Sequence, residues 1–257
     1  MALSYNSIGI IHERLKNYDK ALEYYNKTLD IYKRLDDETG MGMVYNNLGI
    51  IYDEKNQRDT ALKYYQNSYD IDQEVNDTSG MSTSLNNIGL VYFEQDKNGK
   101  ALEFLNQSLK YSKLMDDEYS IANTQNNIAE VLVEEGRYDE ASRKLQKALS
   151  KAKEIKAKEI EEESYMIYSK LYEALGDYKK SLQYYKRQTK LHDSIFSQEK
   201  QNKILELQVK QETEQKEKEQ KLLHSARIIK ATYDSSSDSF FLLDKKYNIL
   251  AFNKTSA

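Results

Sequence analysis

The chain has 257 residues, with 9 glycines and no proline, cysteine or tryptophan. Average usage would supply about a dozen prolines, so the residues that usually build tight turns and strand ends are scarce and an all-α chain is predicted. Without cysteine there is no disulfide, thiolate nucleophile, zinc–thiolate site or iron–sulfur cluster, and a net charge of -4 gives no field that would draw the chain onto nucleic acid or an anionic membrane.

His12, His192 and His224 are scattered, so neither a metal nor another cofactor is expected. The opening MALSYNSIGIIHERLKNYDK has no basic region followed by an apolar core, and no run of 18 apolar residues occurs. A cytoplasmic location is the simplest expectation.

An internal repeat organises most of the chain. Placing Tyr5, Tyr45, Leu85, Gln125 and Tyr165 in one column aligns the sequence without gaps to about residue 200, a period of 40 in five copies. The segments YNSIGIIHE, YNNLGIIYD, LNNIGLVYF and QNNIAEVLV share an apolar residue (Ile8, Leu48, Ile88, Ile128) followed by a small one (Gly9, Gly49, Gly89, Ala129). Three residues further on, His12, Tyr52, Tyr92 and Leu132 fall on the same face of a helix whose small residue lets a neighbour approach closely. The second half of each copy carries Ala21, Ala61, Ala101, Ala141 and Ser181, with Tyr25, Tyr65, Leu105, Leu145 and Tyr185 four residues later on the same face.

The breaks LKNYD, EKNQRD, QDKNG, EEGRYD and ALGDY supply Gly or Asn, and an Asp suited to capping the next helix. Each repeat is therefore read as a helical hairpin. Between repeats, DDETG at 36–40, NDTSG at 76–80 and DDEYS at 116–120 suit helix starts. The first helix of the register would begin before Met1, which fits either a fragment or a native start with a short first helix.

Leu48, Gly49, Tyr52, Ala61 and Tyr65, with Ile88, Gly89, Tyr92 and Ala101 in the next copy, resemble the tetratricopeptide repeat (TPR) family. The resemblance covers residues 1–200 and departs from that family's usual period of about 34 and its repeat-end proline. It implies a right-handed superhelix, an α-solenoid of five hairpins whose first helices line a concave groove for a protein or peptide. On that implication Asn6, the pairs Asn46–Asn47, Asn86–Asn87 and Asn126–Asn127, and also Asp53, Phe93 and Glu94, face the groove. Amides there can bond the backbone of an extended peptide, or one another across adjacent helices, and both readings stand at this point. The family's carboxylate clamp is not expected, because its places hold Met43, Thr83, Asn123, Asn47, Asn87 and Asn127, none a cation. Most of the 22 tyrosines, Tyr24, Tyr25, Tyr64, Tyr65, Tyr184 and Tyr185 among them, are assigned to the core.

Beyond Phe196 the period is lost, and KQETEQKEKEQK at 210–221 has no apolar residue, so residues 201–232 read as a solvated, charged linker helix. Apolar residues at Ile204–Val209 and Leu222–Ile229 offer homodimer pairing at either end, while the Gln, Glu and Lys between them argue against a continuous coiled coil. Residues 233–257 change character: Phe240–Leu243, a turn at Asp244–Lys246 and Tyr247–Phe252 predict a β-hairpin. Phe241, Leu242, Leu243, Asp244, Ile249, Leu250 and Asn253 resemble the opening of a PAS sensor domain, which would make the chain the amino-terminal part of a longer protein.

The combined expectation is a protein- or peptide-binding input module of a bacterial signalling protein, a sensor histidine kinase of a two-component system. A free-standing adaptor or peptide receptor is the alternative. His224 lacks the acidic neighbour and Arg-Thr-Pro context of a kinase phosphoacceptor, and no phosphate loop or triad spacing occurs, so no catalytic residue is named.

Overall fold

The computed structural model describes residues 1–235, 241–243 and 249–252. It divides into two compact units, Met1–Ile195 and Phe196–Ala257. The first contains α1 (Ala2–Arg14), α2 (Tyr18–Leu35), α3 (Glu38–Glu54), α4 (Arg58–Glu74), α5 (Thr78–Glu94), α6 (Asn98–Leu114), α7 (Glu118–Glu134), α8 (Tyr138–Glu154), α9 (Lys158–Ala174) and the opening of α10 (Tyr178–Ser235). Through α9, each helix packs on its neighbours in sequence, and α3, α5, α7 and α9 also touch in succession. This is the nearest-neighbour packing of an α-solenoid, in which each hairpin buries its apolar stripe on the next.

The 40-residue period splits into two equal halves. Left-handed residues recur every twenty positions, at Lys16, Asp36, Asn56, Asn76, Asp96, Asp116, Gly136, Lys156 and Gly176. Each closes the helix before it in the same way. At Asn56, for example, its N–H donates to Asp53 C=O at 2.7 Å and the N–H of Gln57 reaches Tyr52 C=O at 2.8 Å, a Schellman closure that satisfies the last carbonyls. Helices of 17 residues with three-residue turns leave no place that requires proline.

Capping meets expectation at the junctions between repeats and departs from it at most of the breaks within them. Asp37, Asp77 and Asp117 cap first helices, accepting from the N–H groups of Gly40, Gly80 and Ser120 respectively. The N-cap residues of α2, α4, α6 and α8, Asn17, Gln57, Lys97 and Arg137, make no side-chain cap, and the break aspartates Asp19, Asp59 and Asp139 are the second residues of their helices, whereas Asp177 caps α10 as expected, accepting from Lys180 N–H at 3.1 Å. Asp19, Asp59 and Asp139 interact with the helix dipole instead.

Inside each pair, the small residue of the first helix receives a large residue of the second. A Cβ on Gly9 would lie 2.5 Å from the Tyr25 ring, one on Gly49 2.5 Å from the Tyr65 ring, and one on Gly89 2.7 Å from Leu105. Tyr25, Tyr65 and Leu105 are buried. Beside them run stacked rings: His12 on Tyr24 at 5.6 Å, Tyr52 on Tyr64 at 5.1 Å and Tyr92 on Phe104 at 5.3 Å.

The packing changes at α9. Ser169 replaces the small apolar-facing residue and bonds Ser181, while the Tyr184 ring lies on Tyr168 at 4.6 Å and Tyr172 at 5.5 Å. Tyr185, expected in the core, is 58% exposed, because no further first helix of this unit covers that side of α10.

In the second unit, α10 continues to Ser235, and Leu222 and Leu223 are exposed. Two short strands, β1 (Phe241–Leu243) and β2 (Ile249–Phe252), pair antiparallel with Phe241 opposite Phe252. The turn expected at Asp244–Lys246 and the residues Phe240 and Asn253 lie outside the described residues.

Two stability predictions follow the helix geometry. Gly49→Ala gains about 1 kcal/mol of helix propensity but forces a methyl into a buried aromatic ring, so urea unfolding should show a net loss of about 1–2 kcal/mol. Lys156→Gly relieves a left-handed non-glycine residue and should raise stability by about 0.5–1 kcal/mol; an unchanged or lower unfolding midpoint would contradict the cap assignment.

Candidate functional site

The asparagine columns form a ladder across the first helices. Asn47 Nδ2 donates to Asn6 Oδ1 at 3.1 Å, Asn87 Nδ2 to Asn46 Oδ1 at 2.9 Å, and Asn127 Nδ2 to Asn86 Oδ1 at 2.9 Å. Because the turns close every twenty residues, the second Asn of one copy always meets the first Asn of the copy before. Much of the amide capacity that the sequence could have offered to a peptide therefore joins helix to helix. Asn6, Asn126 and Asn127 are buried outright. Asn126 turns to the fifth copy, donating to Ile160 C=O and the Glu163 carboxylate and accepting from Ser164 Oγ. The half-buried Asn46 and Asn86 each retain an Nδ2 group without a partner among the described residues.

The other predicted site residues are not gathered with the ladder. Phe93 packs against the apolar cluster of Ala101, Leu105, Ile128 and Leu132. Glu94 is exposed and pairs with Arg58 at 3.0 Å. Asp53 is half-buried, its Oδ1 enclosed without a hydrogen bond. It occupies the place of Glu13, whose longer side chain accepts from the Tyr25 hydroxyl. Burial, and then the charge of Glu94, push the Asp53 carboxyl up to about 6, against the pull of Arg58.

A polar cavity lies at the opening turns of α3 and α5. A cavity of about 440 Å³ is lined by Asp37, Gly40, Met43 and Asn46 of the α3 segment, Ser68 and Asp72 of α4, and Asp77, Gly80, Thr83 and Ser84 of the α5 segment, with Tyr32 at its edge. Asp72 is its innermost charge, 3% exposed. Its carboxylate fits there because two glycines face it: a Cβ on Gly80 would lie 2.4 Å from Asp72 Cγ, and one on Gly42 2.6 Å from Oδ1. Burial, reinforced by the nearby Asp77 charge, pushes the Asp72 carboxyl up to about 6, while the Ser84 and Ser68 hydroxyls pull it down.

Sequence reasoning missed Asp72, although the repeat alignment carries the signal. In the copies that a following first helix covers, the same column holds Tyr32, Ser112 and Ala152, all uncharged; in the fifth it holds His192, 2.9 Å from Glu162. Tyr32 covers Gly40, Ser112 bonds Ser82 at 2.7 Å, and Ala152 joins an apolar cluster. A carboxylate at an otherwise uncharged interface column marks the site. A second cavity of about 330 Å³, between α7 and α9, is lined by Tyr119, Asn123, Glu159, Glu162, Glu163 and Met166. Burial raises the Glu163 carboxyl there too. Among the described residues no group of acidic and histidine side chains suits a metal ion, and no helix is long and apolar enough to cross a membrane.

Residues 1–74, 55–113 and 120–192 match the family model described as tetratricopeptide repeat. The chain belongs to the tetratricopeptide repeat family. Among solved TPR-like structures, BtubC from P. vanneervenii aligns over 74% of this chain and 79% of its own, at 18% identity and a TM-score of 0.63. The apo form of RapI aligns over 76% and 72%, at 19% identity and a TM-score of 0.66. A STAND signal-transduction ATPase with a tetratricopeptide repeat sensor, from Pyrococcus horikoshii, aligns over 77% of this TPR chain but only 30% of its own, at 20% identity and a TM-score of 0.66. A Rap protein complexed with Competence and Sporulation Factor aligns over 73% and 52%, at 19% identity and a TM-score of 0.65. At these identities the likeness concerns the TPR fold. No curated protein sequence matches the chain.

The raised carboxyls predict a pH dependence. Asp53 and Asp72 bind protons more tightly in the folded chain, near 6, than at their ordinary 3.8. The folded TPR unit should therefore gain stability as pH falls from 7 through 6, levelling off below about 4. Asp72→Asn should be more stable than wild type at pH 7.5 and show a shallower slope in urea unfolding between pH 7.5 and 5; an unaltered slope would refute the buried-charge assignment.

Proposed function

We propose that the chain is the protein- or peptide-binding input module of a signalling protein, with its ligand running along the first helices α3, α5, α7 and α9. On this reading α9 and the opening of α10 form the fifth hairpin of a right-handed superhelix, and the first helices line its concave groove. The observation that carries the proposal is the row of cavities and unpartnered amides on these helices: Asn46 lines the larger cavity with Nδ2 unengaged, and Met43, Thr83 and Asn123 line the same face. Support by analogy comes from the Rap protein in complex with Competence and Sporulation Factor and from the sensor repeats of the STAND ATPase.

The signalling part rests on the segment after the repeats. The PAS-like residues Phe241, Leu242, Leu243, Ile249 and Leu250 fall on β1 and β2, and we assign them to the start of a PAS domain, with residues 201–232 as a linker helix that pairs with a second copy. A sensor histidine kinase located in the cytoplasm is the output this order suggests. Phosphotransfer would then lie beyond Ala257, and a coding sequence that ends there would refute that part alone.

Asn46→Asp separates binding from packing. It keeps the oxygen that accepts from Asn87 and removes the Nδ2 donor that faces the cavity. In a peptide-array screen followed by titration of the best binder without Lys or Arg, so that the added carboxylate gains no ion pair, affinity should fall about three- to ten-fold. Equal affinity for wild type and variant would remove Asn46 from the site, and an array without any binder would refute the peptide-binding reading.

A further inference from the structure

We propose that the cavity between the opening turns of α3 and α5 is a cation-binding subsite that takes an arginine or lysine side chain of the bound peptide, with Asp72 as its counter-charge. The inference rests on the peptide-binding reading for the nature of the ligand, and on the hydrogen bonds around Asp72 for its charge.

Three aspartates line the cavity, and none of the residues lining it is Lys, Arg or His. Two of the three are engaged. Asp37 Oδ1 accepts from Gly40 N–H at 2.9 Å, and Asp77 Oδ1 accepts from the N–H groups of Ser79 and Gly80 at 3.0 Å each. Asp72 is different. Its Oδ1 has no hydrogen-bond partner among the described residues, and its Oδ2 is approached only by the Ser68 and Ser84 hydroxyls, both at 3.3 Å.

Those two hydroxyls carry one proton each. Ser68 has a closer acceptor in Gly42 C=O at 2.9 Å, and Ser84 has one in Ser68 Oγ at 3.0 Å. When both protons take the shorter contacts, the carboxylate receives none. A carboxylate that is 3% exposed, lacks a counter-ion and has no strong donor is destabilising by itself. The corresponding columns of the other copies manage the same helix contact with Tyr32, Ser112 and Ala152, so packing does not require the charge. Gly42 and Gly80 nevertheless clear the space it occupies. A guanidinium or ammonium entering from the cavity would supply both the missing charge and the missing donors.

The test uses the full chain and two acetylated, amidated Gly-Ser peptides with one central residue, either arginine or its neutral isostere citrulline. Binding is read by NMR titration with carbon-13 detection of the aspartate carboxyls. The arginine peptide should bind at pH 7.5 at least ten-fold more tightly than the citrulline peptide and shift the Asp72 carboxyl resonance. Its affinity should fall about ten-fold by pH 5, as Asp72, flanked by Asp37 and Asp77, takes up a proton. Asp72→Asn should lose the preference for arginine, while Asp59→Asn, on the exposed first turn of α4, should retain it. Equal binding of the two peptides, or an arginine preference that survives Asp72→Asn, overturns the subsite and leaves the peptide-binding reading intact. Failure of the arginine peptide to bind at about 10 mM also overturns the subsite, whereas the broader reading falls only with an array that contains no binder.

Discussion

The closure of each of α1–α9 on a left-handed residue, twenty positions after the last, is the constraint on which the other features depend. Because each half-repeat has the same length, successive first helices meet in constant register. Asn47 finds Asn6, Asn87 finds Asn46, and Asn127 finds Asn86. An inserted residue in one turn would rotate the following helix by about 100° and break the ladder at that point. The closure uses backbone hydrogen bonds to the last carbonyls, so it tolerates Lys, Asp and Asn in the left-handed position as well as Gly. A chain without proline can therefore build a long array of tight turns.

Register also fixes what each interface column must satisfy. The contact between a second helix and the next first helix is filled by an aromatic ring, a carboxylate, a serine cluster and an alanine in successive copies. Three of these solutions are apolar or internally hydrogen-bonded. The carboxylate solution leaves a buried charge beside two engaged aspartates, and this is where the array departs from pure packing. Two of the polar cavities lie between first helices, one at α3 with α5 and one at α7 with α9.

Much of this was legible in the amino-acid order, and the exceptions have physical causes. The helical pairs were readable because a small residue and a large one recur on matching faces, and Gly49 against Tyr65 is the contact that such spacing implies. Most second-helix caps were misjudged because Asp in a break can sit at the cap, as Asp177 does, or two residues beyond it, as Asp59 and Asp139 do, and only backbone geometry separates the two. Tyr185 was assigned to the core because its column holds buried residues elsewhere, yet its outer side has no following helix of the same unit. Phe93, expected on the ligand face, is partly buried against the neighbouring apolar cluster.

The sequence by itself determined the helical class, the period of 40, the small-to-large helix contacts and the membership of the repeat family, since each depends on residues near in sequence or recurring at a fixed interval. Tertiary structure alone decided that the asparagines bond one another, that Asp53 falls short of the partner Glu13 reaches, and that Asp72 lies between Gly42 and Gly80 with too few protons around it. These outcomes depend on distances of a few tenths of an ångström between residues up to 41 positions apart. The absence of proline and cysteine, which first pointed to a mainly helical chain and excluded metal–thiolate chemistry, is consistent with both levels: the turns need no ring, and the polar site is made of carboxylates, hydroxyls and amides.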